Sequence, residues 1–464
     1  MRKLSVLVFA LALATVACSG GGATGRKNDI AGPGSTSPTA SGSAAASPSL
    51  SASPSAKATS KLPKPVGDGS RPGSTYRPPT GFPIPNLFTT AENTIGITKN
   101  TITLCTHAAL SLAAVFRVNA ADLNAYWEYV NNELGGVYGR KVVMTYADDN
   151  YGNNPGDVRT AYEECKGRNP FILLGGIGFD QIPQMRTFAE QGHDLYIHHI
   201  AREDFSKKYS FSYLPSVETA GRIAGQWVVK RHAGQVIGVV YRDSENWEPG
   251  HRTFKAELAK RGVTPVADLA VQKNSTVYST QISTLKKRNA KVVFLWENAL
   301  SAIEIIRQAK NQGFTPTWLI FPFNLITDTL KSAMTSPPVE GIAMWPAYRP
   351  GDTGGTYSPY ADEIRFFERV HAKYASGKTD DVTWMTWLGW RQLHRLLLDC
   401  GPNCTRNRIV GLLQSGVHKP VFAGCNFDFT RNRHVGGFAV NIFEAYQSGS
   451  NAFWKNIEVC KTHF

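Results

Sequence analysis

From Ile97 onward the chain alternates short β-branched runs with amphipathic helical runs, and this alternation constrains the fold more than any other feature. The strand-like segments read "TITLCT", "KVVMTYADD", "FILLGGIG", "DLYIHHIA", "QVIGVVYRD", "VADLAV", "KVVFLWE", "TWLIFP" and "GIAMWPAY". Helical stretches at 115–134, 157–166, 182–191, 217–232, 253–261, 280–288 and 301–312 separate most of them. Strands and helices alternating at this length require right-handed crossovers and therefore parallel sheets. About 380 residues exceed what one hydrophobic core usually serves, so the pattern predicts two doubly wound α/β lobes. After Tyr348 it changes to helices near 360–376, 386–398 and 408–414, followed by the strands "GFAVNIFEAYQ" and "FWKNIEVC". A chain that returns to strands after helices is expected to rejoin an earlier lobe. Open parallel sheets bind ligands beyond the carboxyl ends of their strands, so the strand-end loops are where a site is sought.

The first residues, "MRKLSVLVFALALATVAC", place Arg2 and Lys3 before an apolar run and small residues before Cys18. That order is a secretory signal, with an apolar run too short to span a bilayer comfortably. A cysteine directly after "TVA" resembles a bacterial lipobox, although Thr15 stands where an aliphatic residue is preferred. Residues 1–17 are then the signal, and Cys18 the acylated mature N-terminus and membrane anchor. Residues 18–85 are rich in Ser, Ala, Gly, Pro and Thr and bury too little to offset their ordering entropy, so they read as a tether. About 60 such residues span roughly 40 Å root-mean-square, enough to hold a domain off a membrane.

The formal net charge of +14 suits an anionic cell envelope. The Lys and Arg residues are scattered rather than gathered in a stripe among aromatics, so the charge does not point to nucleic acid. An even set of cysteines beyond Cys18 in an exported chain favours disulfides over metal. Six cysteines admit fifteen pairings. The spacing favours Cys400–Cys404 across "CGPNC" and Cys425–Cys460 across the C-terminal segment, leaving Cys105–Cys165.

No GxSxG, GxxxxGK[ST] or HExxH motif is present, so enzyme readings are weak. Asp148 and Asp149 follow a strand, where adjacent carboxylates face opposite ways and serve as loop caps more readily than as an acid–base pair. His198 and His199 would also face opposite ways along a strand, which makes them poor co-ligands for one metal.

The order and spacing of several phrases carry a resemblance to a known group. They are "ITLCTHAALSLAAVF", "ELGGVYGRKVVMTYADDNYGNNP", "FILLGGIGFDQIPQM", "IGVVYRDSENWEPGHRTFKAELAKRG" and "VVFLWENALSAIEIIRQAKNQGF". Together the folded part, from about Gly96 on, resembles the type I periplasmic binding proteins of the leucine/branched-chain amino acid class, the solute receptors of ABC importers. The resemblance implies two doubly wound parallel-sheet lobes joined by a three-stranded hinge, with no enzymatic activity and no cofactor. The lobes would be 96–217 plus 350–436 and 218–349 plus 437–464. The implied partners are a small-molecule ligand and an ABC permease, with the receptor lipid-anchored on the extracytoplasmic face of a Gram-positive cell. A sensing receptor of the same fold is the alternative.

Carried over residue by residue, the resemblance places a ligand against several strand ends. Ser111 and Phe116 follow the first strand, and Phe116 matches a family aromatic that walls the side-chain pocket, while also suiting a first core residue of the helix. After the third strand, Gly176 and Gly178 let backbone approach an anion at a helix start. Phe179 and Asp180 stand beside them where the family has serines. Ala201 and Arg202 fall on or near its next binding positions, and Arg202 could hold an anion with two hydrogen bonds. Trp247 matches an aromatic that the second lobe lays over the ligand, core packing being the competing reading. Glu297, after "FLW", is the acceptor for an ammonium group or else a helix cap. Phe323 is followed by Asn324 where the amino acid binders carry glutamate. These departures and the aromatic set point to a solute larger or more aromatic than leucine.

Overall fold

A computed structural model describes residues 69–464, apart from 113–118, 153, 177–180, 199–201, 203–206, 274, 322–338, 344, 346–347, 349–359, 376–378, 420–424, 426 and 449–450. Five parallel strands open the first sheet: β1 (Thr101–Ala108), β2 (Lys141–Asp148), β3 (Ile172–Leu174), β4 (Tyr196–His198) and β5 (Ser210–Pro215). The second repeats the plan with β6 (Ile237–Arg242), β7 (Ala267–Val271), β8 (Val292–Trp296), β9 (Thr317–Phe321) and β10 (Val339–Ala343). Strand orders β2-β1-β3-β4-β5 and β7-β6-β8-β9-β10 are the same doubly wound order. The tail then serves both sheets. β11 (Val435–Gly437) adds in parallel to β5, and the antiparallel pair β12 (Val440–Ser448) and β13 (Asn451–Lys461) adds to β10. The fold is thus α/β, with two mostly parallel sheets.

The helices between strands are α1 (Ala120–Glu133), α2 (Pro155–Gly167), α3 (Ile182–Gln191), α4 (Val217–Arg231), α5 (Glu248–Lys260), α6 (Ser279–Lys287) and α7 (Ala299–Asn311). Asn119, Ser216 and Asn298 begin three of them by accepting a backbone N–H two or three residues inside the helix. The last group is α8 (Ala361–Tyr374), α9 (Asp381–Cys400) and α10 (Arg406–Gln414). Helix α9 begins five residues before the expected Thr386, because Asp380 and Thr383 form a reciprocal capping box. β5, "SFSYLP", was not expected; it is short and carries two serines, which masks its buried face.

The chain contains disulfides Cys105–Cys165, Cys400–Cys404 and Cys425–Cys460, the pairs that the spacing favoured. The first ties β1 to α2, the second closes the turn between α9 and α10, and the third joins the segment after α10 to β13. Cys18 and the signal lie outside the described residues.

Residues 69–95 form a strap along the first lobe, so the part of the expected tether from 69 to 85 is docked rather than extended. The Tyr129 hydroxyl donates to Ser70 O (2.8 Å), and Arg408 donates to Pro79 O (2.9 Å). The Arg395 guanidinium lies 4.2 Å from the Tyr76 ring centre, while the Tyr76 hydroxyl donates to Asp399. Phe88 is buried, and its backbone N–H and C=O are both bonded by the Asn407 side chain. Tyr76, Phe82 and Phe88 supply the apolar area that the residues upstream lack, which is why docking begins here.

Under the strap lies a buried histidine whose protonation state follows from its neighbours. The Gln392 amide nitrogen donates to Lys419 O (3.3 Å) and faces His418 Nε2 at 2.7 Å, so that ring nitrogen accepts. The proton sits on Nδ1 and points to Asp399 (2.6 Å), giving a neutral ring. Burial holds the His418 pKa below the usual imidazole value, with Asp399 opposing, and burial likewise lowers His371 and His434. For each of these the unfolded chain takes up a proton first as pH falls, so stability is present above about 6.5 and lost progressively below it. Asp399 works in the opposite sense, because burial raises its folded pKa. With three histidines against one carboxyl, melting scans at pH 7.5 and 5.5 are expected to show the lower midpoint at 5.5. His418→Gln should reduce that difference, and an unchanged difference would remove His418 from the titration.

Candidate functional site

The same strand order in both sheets puts a topological switch point at β1/β3 and another at β6/β8, where neighbouring crossovers leave in opposite directions. The register places Ala108 opposite Asp148, and Thr106 opposite Leu174, at the carboxyl end of the first sheet. In the second, Tyr241 lies opposite Trp296, and Trp296 opposite Phe321.

At the first switch point a buried polar cluster holds the strand ends together. His107 Nδ1 lies 2.6 Å from Asp149, and its Nε2 lies 2.8 Å from the Tyr196 hydroxyl. Asp149 also accepts from Tyr151 N (2.9 Å) and the Gln181 amide (3.1 Å). Burial, then the Asp149 charge, pushes the Tyr196 phenol well above its usual range, so it keeps its proton at neutral pH. The neighbouring carboxylate, Asp148, accepts from the backbone N–H of Ser111 (2.8 Å) and of Asn150 (2.9 Å). Asp148 and Asp149 therefore act as loop caps, facing different partners. Ser111 is exposed, and its hydroxyl adds a 3.0 Å bond to Asn150.

Gly176 follows β3 where a Cβ would stand 1.6 Å from His107 O, so only glycine lets the two strand exits pass this closely. Next to it a partly open pocket of about 90 Å³ lies between the ends of β1 and β3, helix α1 and helix α9. Ala108, Gly175 and Gly176 form its sheet side, Leu123 comes from α1, and Met385 and Trp390 come from α9. Nothing in the sequence reading placed α9 at the site. Its contribution depends on a segment returning more than 200 residues later, which local pattern does not show.

At the second switch point the strand ends meet in a buried ion pair and an aromatic stack. Arg242, the last residue of β6, is 2% exposed, and Glu297, just past β8, is fully buried. Arg242 Nη1 stands 3.4 Å from Glu297 Oε2, which also accepts from Asn298 N at 2.9 Å. Trp296 stacks on Phe321 with ring centres 4.2 Å apart, and its indole N–H donates to Trp247 O (2.6 Å). Trp247 itself is 2% exposed and meets Trp296 edge-on. It occupies the N-cap of α5 without making a cap hydrogen bond, so packing, not capping, holds it there.

Among the described residues, side chains join the lobes near these ends. Arg202 pairs with Glu245 on the loop after β6 (3.1 Å), and Lys273 donates to Gly152 O (2.8 Å). Among the expected site residues, Glu297 and Trp247 are thus neighbours at the second switch point, Ser111 and Gly176 lie at the first, and Arg202 reaches across. Phe116, Gly178, Phe179, Ala201 and Phe323 lie outside the described residues. Among the described residues, no group of three His, Cys, Asp or Glu side chains is placed to hold a metal ion.

No curated protein matches the sequence. Solved structures do match. A substrate-binding periplasmic protein from Ralstonia solanacearum superimposes with a TM-score of 0.62 at 17% identity, covering 76% of this chain and 99% of that one. A fatty acid ABC transporter substrate-binding protein from Thermomonospora curvata gives 0.64 at 18% identity, covering 79% and 94%. An ABC transporter solute-binding protein from R. palustris, solved in complex with benzoate, gives 0.60 at 14% identity, covering 78% and 98%. At these identities the likeness is one of fold. The family model described as periplasmic binding protein matches residues 111–450. That range runs from just after β1 to the end of β12 and covers most of the chain, and the chain belongs to the periplasmic binding protein family.

Proposed function

We propose that this chain is an extracytoplasmic solute-binding lipoprotein that captures a small molecule between its lobes and delivers it to an ABC permease. The observation that carries the reading is the pair of switch points: an apolar pocket in one lobe, a buried Arg242–Glu297 pair in the other, and lobe-to-lobe contacts beside them. A solute with an apolar part and a polar head suits such a division, since pockets of this kind combine apolar walls with a few placed polar groups. The solutes named for the structural neighbours, a fatty acid and benzoate, have that character. No step of bond making is assigned to the site. The signal sequence, Cys18 and the Ser/Ala/Gly/Pro tether fit acylation and retention on the outer face of a Gram-positive membrane.

A thermal-shift screen led by leucine, valine and aromatic or amide solutes tests the reading. At least one solute is expected to raise the melting temperature saturably, by an amount that grows with the ratio of its concentration to Kd. Failure of every amino acid would remove that class, and failure of every small solute would remove solute capture.

A further inference from the structure

We propose that the pocket between β1, β3, α1 and α9 seats an uncharged apolar tail of the captured solute, and that Gly389 on α9 keeps its entrance open. This deepens the solute-capture reading and rests on it. The pocket lies in one lobe, so it is shaped before any partner surface arrives.

The lining shows what it accepts. Among the described residues around the pocket none is charged, and the polar groups that reach it are turned elsewhere. The Thr106 hydroxyl donates to Leu174 O (3.3 Å), and the Thr386 hydroxyl to Val382 O (3.0 Å). The Trp390 indole N–H donates to Leu123 O (2.7 Å). An entering group therefore meets mainly Ala108, Leu123, Met385, Trp390 and Gly175. A charged or strongly polar group placed there would lose water without gaining a partner.

Size narrows the class further. A cavity of about 150 Å³ lined by aliphatic and aromatic groups accepts benzene. At about 90 Å³ this pocket is smaller, and suits a short or branched alkyl group. Met385 is half-buried, and methionine adapts its shape readily, so it is the wall that yields to a ring.

Gly389 is the residue the helix does not need. Glycine inside a helix is less favourable than almost any other residue, yet it stands in the middle of α9 and is exposed. Among the described residues, a Cβ built there meets no neighbouring atom within 4 Å, so crowding by them does not explain the glycine. Open space at the pocket does explain it: any side chain would occupy the entrance.

The test uses the full chain with 13C-labelled methionine methyls, titrated with 1-butanol and 1-hexanol. The Met385 methyl is expected to shift saturably, while those of Met144 and Met185 stay in place. Gly389→Leu is expected to weaken alcohol binding at least tenfold while retaining the wild-type far-UV circular dichroism. Met385→Ala widens the pocket and is expected to move the preference toward hexanol, read by thermal shift; this arm decides if Gly389→Leu does not fold. A Met385 methyl that moves no more than Met144 and Met185, or alcohol binding unchanged in Gly389→Leu, overturns the proposal, as does an unaltered preference in Met385→Ala. The two readings fail separately. A solute that raises the melting point equally in wild type and Gly389→Leu leaves capture standing and removes the pocket. Alcohol binding lost in Gly389→Leu, with no solute raising the melting point, does the reverse.

Discussion

Glu297→Leu is expected to destabilise the protein by about 3–5 kcal/mol, the range for removing one partner of a buried ion pair. Glu297 is fully buried and Arg242 is 2% exposed, so deleting the carboxylate takes a counter-charge away from a buried guanidinium. The substitution also removes the acceptor of the Asn298 N–H, at the start of α7. The double replacement Arg242→Met with Glu297→Leu should recover most of the loss, since neither charge then has to be buried. Urea unfolding with an unchanged slope measures both, because a shifted midpoint at constant slope is a change in stability alone. Equal losses in the single and double variants would show that the pair contributes through packing and not through charge.

Trp247→Ala is expected to cost about 3–5 kcal/mol, the usual range for truncating a buried tryptophan. The ring is 2% exposed and packs edge-on against Trp296, while the bond from the Trp296 indole to Trp247 O uses backbone and survives the change. Stability and affinity separate the two roles weighed for this residue. If packing is its whole role, the folded variant binds its solute as tightly as the parent. If it also covers the solute, affinity falls together with stability. Trp247→Phe, which keeps an aromatic edge for Trp296, should restore most of the stability in either case.

The sequence made the fold legible because two parallel sheets impose a repeated signature. A central strand buried on both faces reads as an apolar run, as in β8, "VVFLW", every residue of which is buried. Helices α3 and α4 were legible from their periodicity. β5 was not, since two of its buried residues are serines. The strap at 69–95 was hidden because the composition of the tether changes gradually, and only Tyr76, Phe82 and Phe88 mark where docking begins.

The candidate site was legible only where it sits directly after a strand. Trp247 and Glu297 could be found because each closes a strand-to-helix turn, and the structure sets them at one switch point. Arg242 was missed because a charged residue at the end of an apolar strand usually faces solvent. Met385, Gly389 and Trp390 were missed because the resemblance assigned 350–436 to the first lobe without placing α9 against the strand ends, a packing that no local spacing encodes. His107, Tyr196 and Gln181 stand on three separate elements and meet only around Asp149.

Solute capture requires the chain to close on a small molecule and leave it unchanged. Small-angle scattering of the full chain with and without the strongest solute from the thermal-shift screen, followed by recovery of that solute after denaturation, measures both. The expected result is a smaller radius of gyration on binding, with one intact solute recovered per chain. A solute recovered in altered form, or bound without any change in the radius of gyration, would contradict it.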